Sequence, residues 1–486
     1  MADRILVIDE GTTSTRAIVY DIDGTPVATV QAQLTQYYPE PGWVEQDASE
    51  IWDRTLAVAR EAIASVGGAD CIAAIGITNQ RETVVAWDRS TGEPLTRAIV
   101  WQDRRTAARC AELREAGHEA DIQRKTGLLL DPYFSASKME WLLENEPAVA
   151  ACDQLAFGTI DSFLAWKLTG GRTHATDASN ASRTMLMGLT GGWDAELCAL
   201  FGVDAATLPT IVDSLGIIGQ TDPSLFGRAI PIAAMIGDQQ SATVGQGCLA
   251  VGATKATFGT GAFILTNAGD TPPASAHRLL GTVLLQQHGR RSYALEGSIF
   301  VAGSLMQWLR DSLGLIVTAP ESEALAASVP DNGGVCFVPA LSGLGAPHWR
   351  ADVRALVTGM TFATTKAHIV RAALEAQSHQ IHDLMMAYRQ DGIVWDSIRV
   401  DGGMIANNWL AQDLADITGL PVERPANVET TALGAAMLAA VGCGLYPDLA
   451  CATSAMRGKL ERFEPRMDGA TRDARLSQWR DAISKV

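Results

Sequence analysis

The chain has 486 residues, enough for two substantial hydrophobic cores, and 47% of them are apolar, with 45 glycines. That composition is typical of a globular α/β enzyme and excludes an intrinsically disordered chain. The formal net charge of −17 argues against nucleic-acid binding, or binding to an anionic membrane, through bulk charge. It leaves open an anionic nucleotide held by local amides and a metal.

No apolar stretch is long enough to span a bilayer, and the residues after Met1 carry no signal segment, so we expect a cytoplasmic chain. The eight cysteines form no Cys-x-x-Cys pair, which argues against a zinc site or a disulfide framework and fits a reducing compartment. His379 and His382 could share a metal. Because no third ligand lies nearby in the sequence, a helix-face pair without metal is the preferred interpretation.

The chain opens with a predicted hairpin. An apolar run over 5–8 ends in Asp9, a tight turn follows at Gly11, and a second apolar run covers 17–20. Glycine lets backbone amides approach an anion closely, flanking hydroxyls add donors, and an acid beside a phosphate site commonly serves the accompanying metal. The pattern indicates a nucleotide site, and an ordinary glycine turn explains it equally well.

Strands and helices then alternate, which predicts the α/β class. The predicted elements of the first half are a strand near 26–31, a helix around 48–64, a strand over 71–78, a hairpin turn around 88–92 returning along 98–101, and a strand over 232–236 followed by a helix.

The second half repeats the opening pattern. A strand leads into Gly259-Thr260-Gly261, a second strand follows, and a third is predicted near 292–295. Two such hairpins indicate a duplicated fold with nucleotide held between the halves, so we predict domains over 1–247 and 248–486. The remaining predicted elements are a long helix over 369–388, a strand over 397–400 and a small-residue helix over 432–441 that could pack closely on a sheet.

Asp238 follows the predicted strand that ends at Gly237. Ligand sites in α/β sheets lie at the carboxyl ends of strands, so Asp238 could accept a proton from a hydroxyl that attacks a γ-phosphate. An aspartate that begins a helix is also a common N-cap, and the segment alone slightly favours the cap.

Arg81 and Glu82 end another apolar strand. Together they could hydrogen-bond vicinal hydroxyls, since a carboxylate accepts and a guanidinium donates through a planar fork. Taken alone, a solvated ion pair at the strand end is favoured. Trp101 and Tyr133 could form the apolar side of a small-polyol site, or equally belong to the core.

Gly402 and Gly403 follow a later strand and would permit close backbone approach to a phosphate or nucleoside, while a turn capped by Asn407 is an equal alternative. The sequence contains no Gly-Lys-Ser/Thr P-loop and no Gly-x-Gly-x-x-Gly after the first strand. These features argue against a P-loop NTPase and weaken a dinucleotide site.

Taken together and in order, these segments resemble the FGGY family of carbohydrate kinases, most of all its glycerol-phosphorylating members, over nearly the whole chain. The segments that carry the resemblance are 9–14, 39–45, 75–83, 98–102, 131–135, 176–184, 237–240, 259–261 and 401–408. Each motif is weak alone, and the ordered set is very specific.

The resemblance implies an actin-like, duplicated ribonuclease-H fold with ATP in the cleft between its domains. It implies phosphorylation of glycerol to sn-glycerol 3-phosphate, with Asp238 as the general base and Asp9 and Asp238 facing Mg²⁺. A homodimer or homotetramer would fit. The implied glycerol contacts are Arg81, Glu82, Trp101, Tyr133, Asp238, Gln239 and Phe263, and the implied nucleotide contacts are Thr12, Thr13, Ser14, Arg16, Thr260, Gly303, Gln307, Gly403 and Asn407. Residues 1–247 would supply the substrate pocket and the first phosphate hairpin, and 248–486 would bind the nucleotide.

Two segments depart from the family pattern. Glu10 stands where these kinases usually carry glutamine, and a carboxylate near phosphates is unfavourable unless it is paired or bears on the metal. The stretch Asp222–Arg228 is shorter than the matching loop of members inhibited by fructose 1,6-bisphosphate, which predicts weak or absent inhibition.

Two alternatives remain open: a kinase for another small polyol or ketose, such as erythritol or xylulose, and a non-catalytic actin-like or chaperone-like nucleotide module. Asp238-Gln239 beside Arg81-Glu82 argues against the second.

Overall fold

In the computed structural model, which describes residues 3–350, 352–426 and 429–486, two large mixed sheets are each packed against helices. The expectation of no signal segment concerns the first residues of the chain, and of these Met1 and Ala2 lie outside the described residues. We call residues up to 247 the first half and those from 248 the second half. In the described ranges, no helix combines the length and the apolarity needed to cross a bilayer.

The first half carries these strands and helices. Its strands are β1 (Arg4–Glu10), β2 (Ser14–Tyr20), β3 (Pro26–Gln33), β4 (Gln36–Tyr37), β5 (Glu45–Gln46), β6 (Ile72–Asn79), β7 (Val85–Asp88), β8 (Ala98–Ile99), β9 (Leu155–Gly158), β10 (Ala175–Asp177), β11 (Thr210–Val212), β12 (Leu215–Gln220) and β13 (Pro231–Gly237). Its helices are α1 (Ala48–Ser65), α2 (Ala107–Glu115), α3 (Glu119–Thr126), α4 (Ser135–Asn145), α5 (Pro147–Ala150), α6 (Ile160–Leu168), α7 (Ala178–Ala181), α8 (Ala195–Leu200), α9 (Pro223–Phe226) and α10 (Asp238–Gly245).

The second half continues the numbering. Its strands are β14 (Thr254–Phe258), β15 (Ala262–Gly269), β16 (Leu280–Gln287), β17 (Arg290–Ile299), β18 (Cys336–Val338), β19 (Leu356–Thr358), β20 (Ile398–Asp401), β21 (Val422–Pro425) and β22 (Leu460–Phe463). Its helices are α11 (Gly303–Asp311), α12 (Glu321–Ala327), α13 (Lys366–Gln390), α14 (Asn408–Thr418), α15 (Thr430–Gly442), α16 (Leu449–Met456) and α17 (Gly469–Ile483).

The two large sheets have the same topology. The first has the order β3-β2-β1-β6-β13-β12 and the second β17-β15-β14-β20-β21-β22, with β16 added beside β17. In both sheets the successive pairings are antiparallel, antiparallel, parallel, parallel and antiparallel. This correspondence confirms the predicted duplicated α/β fold.

The first sheet is covered on both faces, which explains the uninterrupted apolar run of β1. Successive side chains of a strand point to opposite faces. Accordingly, Leu6 and Ile8 pack in a core that includes α1, whereas Ile5 and Val7 pack in a second core built largely from α15.

Helix α15 belongs to the second half and yet packs on the first sheet. A Cβ atom at Gly76 in β6 would lie 2.7 Å from the Ala435 carbonyl oxygen. Where α15 crosses α10, a Cβ at Gly434 would lie 1.9 Å from the Ser241 oxygen, and one at Gly245 would lie 2.0 Å from the Thr430 oxygen. The predicted close packing of this helix on a sheet is confirmed, and the domain boundary near 247–252 stays a prediction.

The hairpin predicted around 88–92 is less regular than expected. β7 pairs along its length with β9, and only isolated bridges, Trp87 to Pro94 and Val84 to Ile99, join it to the returning segment. Strand β16, which the sequence analysis did not predict, is the edge strand of the second sheet and pairs with β17.

Candidate active site

The first half contributes to the site from the carboxyl ends of three neighbouring strands. Asp9 lies at the end of β1, Arg81 and Glu82 follow β6, and Asp238 follows β13. Because these strands are parallel, their carboxyl ends meet at one edge of the sheet, where ligands bind in such folds.

Asp238 is the first residue of α10, and Gly237 occupies the N-cap position. The Asp238 oxygen Oδ1 accepts a hydrogen bond from the Gln239 backbone N–H at 2.6 Å, and 31% of the Asp238 side chain is exposed. The N-cap interpretation of Asp238 is therefore wrong, and the acid is free to reach a ligand in the cleft.

Arg81 and Glu82 are not a solvated pair, since each side chain is only 2% exposed. Arg81 Nη1 donates to Glu296 Oε2 at 2.6 Å, and its Nε lies 3.3 Å from Asp238 Oδ1. Arg183 joins the remaining acids, with Nε donating to Glu82 Oε1 at 2.6 Å and Nη2 to Glu296 Oε1 at 3.0 Å. We call Arg81, Glu82, Arg183, Glu296 and Asp238 the charge network.

Burial and the two arginines shift the pKa values of two carboxyls of the charge network in opposite directions. Burial alone would raise the pKa of Glu296, but Arg183 and Arg81 outweigh it and hold that pKa below its usual value. For Glu82, burial dominates over Arg81 and Arg183, and the pKa is raised. Removing one partner of such a buried pair leaves an uncompensated charge, which is strongly destabilising.

The backbone at this point is unusual. Glu82 has a φ of 62°, a left-handed conformation that non-glycine residues adopt rarely, and its carbonyl accepts a hydrogen bond from Ser135 Oγ at 3.0 Å. A Cβ at Gly237 would lie 2.8 Å from Arg81 Cδ, so glycine there leaves room for the arginine stem. Strain and close approach thus both serve to place Arg81 and Glu82.

Three aromatic rings form one wall beside the charge network. Trp101 packs edge-on against Tyr133 at a centroid distance of 5.5 Å and against Phe263 at 6.4 Å. Tyr133 Oη lies 3.5 Å from Arg81 Nη2, and the buried Lys138 Nζ donates to three consecutive carbonyls, those of residues 132–134, fixing the loop. The structure therefore brings the three predicted aromatic residues together.

The first hairpin, for which phosphate binding is predicted, meets this wall directly. Trp101 Nε1 donates to Thr12 Oγ1 at 2.9 Å, and the turn is closed by a hydrogen bond from the Gly11 N–H to the Ser14 carbonyl at 3.0 Å. Thr13, at the tip, is exposed. Since Phe263 lies in β15, the return strand of the second hairpin, both hairpins reach the same wall.

Arg16 and Asp9 lie beside the first hairpin. Arg16 Nη2 donates to Asp9 Oδ2 at 2.6 Å and Nη1 to Glu429 Oε2 at 2.5 Å. Burial raises the pKa of Asp9 to about 6, against the opposing charge of Arg16. Asp9 is consequently mostly ionised at neutral pH.

The five nucleotide contacts predicted in the second half line one cavity of about 360 Å³. They are Thr260, Gly303, Gln307, Gly403 and Asn407. A Cβ at Gly303 would lie 2.5 Å from the Gly259 oxygen, so the start of α11 sits against the second hairpin. Asn407 Oδ1 also caps α14 by accepting from the Leu410 N–H at 3.0 Å, so the capping alternative is observed as well.

The donor set suits a magnesium ion that arrives with phosphates. In the part of the chain that the structure describes, no cluster of three or more His, Cys, Asp or Glu could hold a metal by itself. Mg²⁺ typically uses one or two carboxylates together with water and phosphate oxygens. The carboxylates of Asp9 and Asp238 fit that requirement. His379 stacks on Trp479 at a centroid distance of 5.4 Å, and the metal-free helix-face pair with His382 stays a prediction.

Glu10 points away from the face of β1 that carries Asp9, which corrects the expectation drawn from its position in the motif. The side chain is completely buried on the opposite face of β1 from Asp9, where Oε2 accepts from Thr55 Oγ1 of α1 at 2.7 Å. Burial raises the pKa of Glu10 to about 8, opposed by hydrogen bonds from Thr15 and Thr55. The carboxyl is therefore protonated at neutral pH and needs neither a cation nor a metal.

Three residues of the site escaped the sequence analysis or were given no role there. Arg183 stands inside a quoted motif, whereas Glu296 and Lys255 were not singled out. Lys255 is fully buried and donates to Gln239 Oε1, and burial lowers its pKa to about 8. The available signal was an ionisable residue in the middle of an apolar strand, which is costly unless it is paired.

Residues 4–245 match the N-terminal domain and residues 254–443 the C-terminal domain of the FGGY family of carbohydrate kinases. The chain is 55% identical to a glycerol kinase of Rhodospirillum centenum, over 99% of this chain and 98% of that one.

Solved structures are similar over the same extent. A Plasmodium falciparum glycerol kinase with ADP superimposes with a TM-score of 0.93 at 37% identity, covering 99% of this chain and 98% of that one. A xylulose kinase of Lactobacillus acidophilus gives a TM-score of 0.88 at 23% identity over 99% and 96% of the two chains, a likeness of fold alone.

Proposed function

The chain belongs to the FGGY family of carbohydrate kinases, and on that premise we propose that it transfers the γ-phosphate of ATP to a terminal hydroxyl of glycerol, giving ADP and sn-glycerol 3-phosphate. The observation that carries the proposal is the partly exposed Asp238 carboxylate, 3.3 Å from Arg81, beside an aromatic wall that touches a phosphate hairpin.

The acceptor would lie between the charge network and the aromatic wall. Glu82 would accept hydrogen bonds from its hydroxyls, and Arg81 and Gln239 would donate to them. Trp101, Tyr133 and Phe263 would cover its carbon backbone. A planar guanidinium beside a carboxylate suits vicinal hydroxyls, and three rings around them suit a short polyol.

Asp238 would act as the general base. Its carboxylate takes the proton from the attacking hydroxyl while that oxygen bonds to the γ-phosphorus and the bond from phosphorus to the β-phosphate oxygen breaks. Arg81, 3.3 Å away, holds the carboxylate in place. Most of the rate enhancement in such a transfer comes from positioning and from stabilising charge.

The phosphates would lie between the two hairpins. The backbone N–H groups and hydroxyls of Thr12, Thr13 and Ser14 would bind them from one side and Thr260 from the other, with Arg16 supplying positive charge. The base and ribose would occupy the cavity of about 360 Å³. Bound Mg²⁺ would neutralise phosphate charge, and Asp9 and Asp238 are the residues that would hold it.

The decisive experiment measures ADP release with glycerol, erythritol, xylulose, ribulose and dihydroxyacetone as acceptors. We expect the highest kcat/KM with glycerol, by at least about tenfold. A higher value with another acceptor would replace glycerol as the substrate and favour the related polyol or ketose kinase. ATP hydrolysis that no acceptor stimulates would favour the non-catalytic nucleotide module.

We also propose that the chain works in the cytoplasm as a homodimer or homotetramer. Cell fractionation and light scattering of the purified protein test these two statements separately from the activity.

A further inference from the structure

Two ionisable residues of the second sheet face the acceptor site from a single row. Lys255 in β14 pairs with Leu265 in β15, and Leu265 pairs with Glu296 in β17. Directly paired residues of an antiparallel sheet share a face, so Lys255 and Glu296 project the same way, two strands apart. Both are completely buried.

Glu296 binds both arginines of the charge network. Its two oxygens receive Arg81 Nη1 at 2.6 Å and Arg183 Nη2 at 3.0 Å. Arg81 in turn lies 3.3 Å from Asp238, and Arg183 donates to Glu82 at 2.6 Å. One carboxylate of the second half thus fixes the side chains that hold both acids of the acceptor site in the first half.

Lys255 fixes the side chain of Gln239 in the first half. Its ammonium group donates to Gln239 Oε1 and to Thr257 Oγ1, the latter at 2.9 Å. With its carbonyl oxygen held in this way, Gln239 turns its amide Nε2 toward Asp238 Oδ2, at 3.3 Å. Lys255 therefore decides which end of the Gln239 amide faces the acceptor.

We infer that Glu296 and Lys255 are positioning residues through which the second half assembles the acceptor site of the first half. Each acts through another side chain, Glu296 through Arg81 and Arg183, and Lys255 through Gln239. The inference rests on the proposed function, since it concerns the acceptor of that reaction. Its signature is selective: acceptor binding depends on this row far more than nucleotide binding does.

The test compares steady-state kinetics of Glu296→Gln and Lys255→Met with those of the unmodified chain. We expect Glu296→Gln to raise the KM for the acceptor by at least about tenfold and Lys255→Met by at least about threefold, because each removes a hydrogen bond to a charged group. The KM for ATP should stay within about twofold in both variants.

Glu375→Gln is the matched control. Glu375 is also an almost fully buried carboxylate of the second half, held by two arginines, Arg371 and Arg475, but it has no contact with the charge network. We expect its acceptor KM to stay within about twofold of the unmodified chain. If Glu296→Gln does not accumulate folded, Glu296→Asp, which keeps the charge and shortens its reach, is judged by the same criterion.

The outcomes separate the two proposals. The acceptor panel is run first, and the variants are assayed with the acceptor that the unmodified chain prefers, so a preference other than glycerol overturns the proposed function alone. An acceptor KM within about twofold of normal in the Glu296 and Lys255 variants overturns the inference. A parallel rise in the KM for ATP also overturns it, since general loosening would explain that result.

Discussion

Replacing Glu10 by glutamine should stabilise the protein, and by more as the pH rises. Glu10 is buried among hydroxyls, with Thr55 Oγ1 at 2.7 Å from Oε2 and no basic partner, and its Oε1 has no hydrogen-bond partner. Ionising this carboxyl inside the sheet is therefore unfavourable. Glutamine has nearly the same shape and no charge to bury.

The size of the effect follows from linkage between protonation and folding. The pKa of Glu10 rises from 4.5 to about 8 on folding, so between these values the folded chain holds a proton that the unfolded chain has lost. The stability that this proton contributes to the fold is fully present below the unfolded pKa of 4.5. It is lost as the pH rises through the folded pKa of about 8. Between about pH 5 and pH 8 the loss is about 3 kcal/mol.

Thermal unfolding of the ligand-free protein across this pH range measures the effect. The Tm difference between Glu10→Gln and the unmodified chain should widen by about 3 °C if the chain unfolds as one unit, and by about 6 °C if its halves unfold separately. Glu61→Gln, at an exposed position of helix α1, against which Glu10 packs, is the control measured over the same pH range. A Glu10→Gln difference constant to within about 1 °C would mean that Glu10 is already ionised in the fold.

Three further predictions concern the base, the helix crossing and the altered loop. Asp238→Asn should lower kcat by about 10²–10⁴ while ATP still binds in a calorimetric titration, and near-normal turnover would remove Asp238 from the role of base. Gly434→Ala should lower the free energy of unfolding by about 1–3 kcal/mol in urea titrations, because its Cβ would lie 1.9 Å from the Ser241 oxygen. Gly469→Ala, whose Cβ meets nothing within 4 Å, is the control, and equal stability of the two variants would contradict the crossing. Fructose 1,6-bisphosphate should inhibit ADP release weakly or not at all, since 222–228 form a short capped turn and Arg228 Nη1 donates to the Ala69 carbonyl at 3.3 Å. Tight inhibition at physiological concentrations would refute this.

The sequence alone predicted the parts of the fold and site that depend on local pattern. The glycine turns, the apolar strands and the polar residues at strand ends are each encoded by neighbouring residues, so Asp9, Arg81 and Asp238 were each placed correctly at the end of a strand. Glu10 was misjudged, although the alternation of side chains along a strand already assigns it to the face opposite Asp9.

The rest depended on contacts between distant segments. Glu296 reaches Arg81 only because β17 lies next to β15 in the second sheet, and no local pattern encodes that neighbour relation. The same holds for the helix over 432–441: its small residues indicated close packing, but not that the sheet it covers belongs to the first half. Local pattern favoured an N-cap for Asp238 and a solvated ion pair for Arg81. The structure instead has Gly237 at the N-cap and Arg81 buried.

The crossing of α10 and α15 bears on how the two halves move. At that point the backbones of the two helices are in direct contact at glycines, and Ser241 Oγ donates to the Thr431 carbonyl at 2.6 Å. Asp238 begins α10, and Ser241, one turn later, lies at the crossing. A rotation of one half against the other about this crossing would therefore displace Asp238 less than groups that lie farther from it.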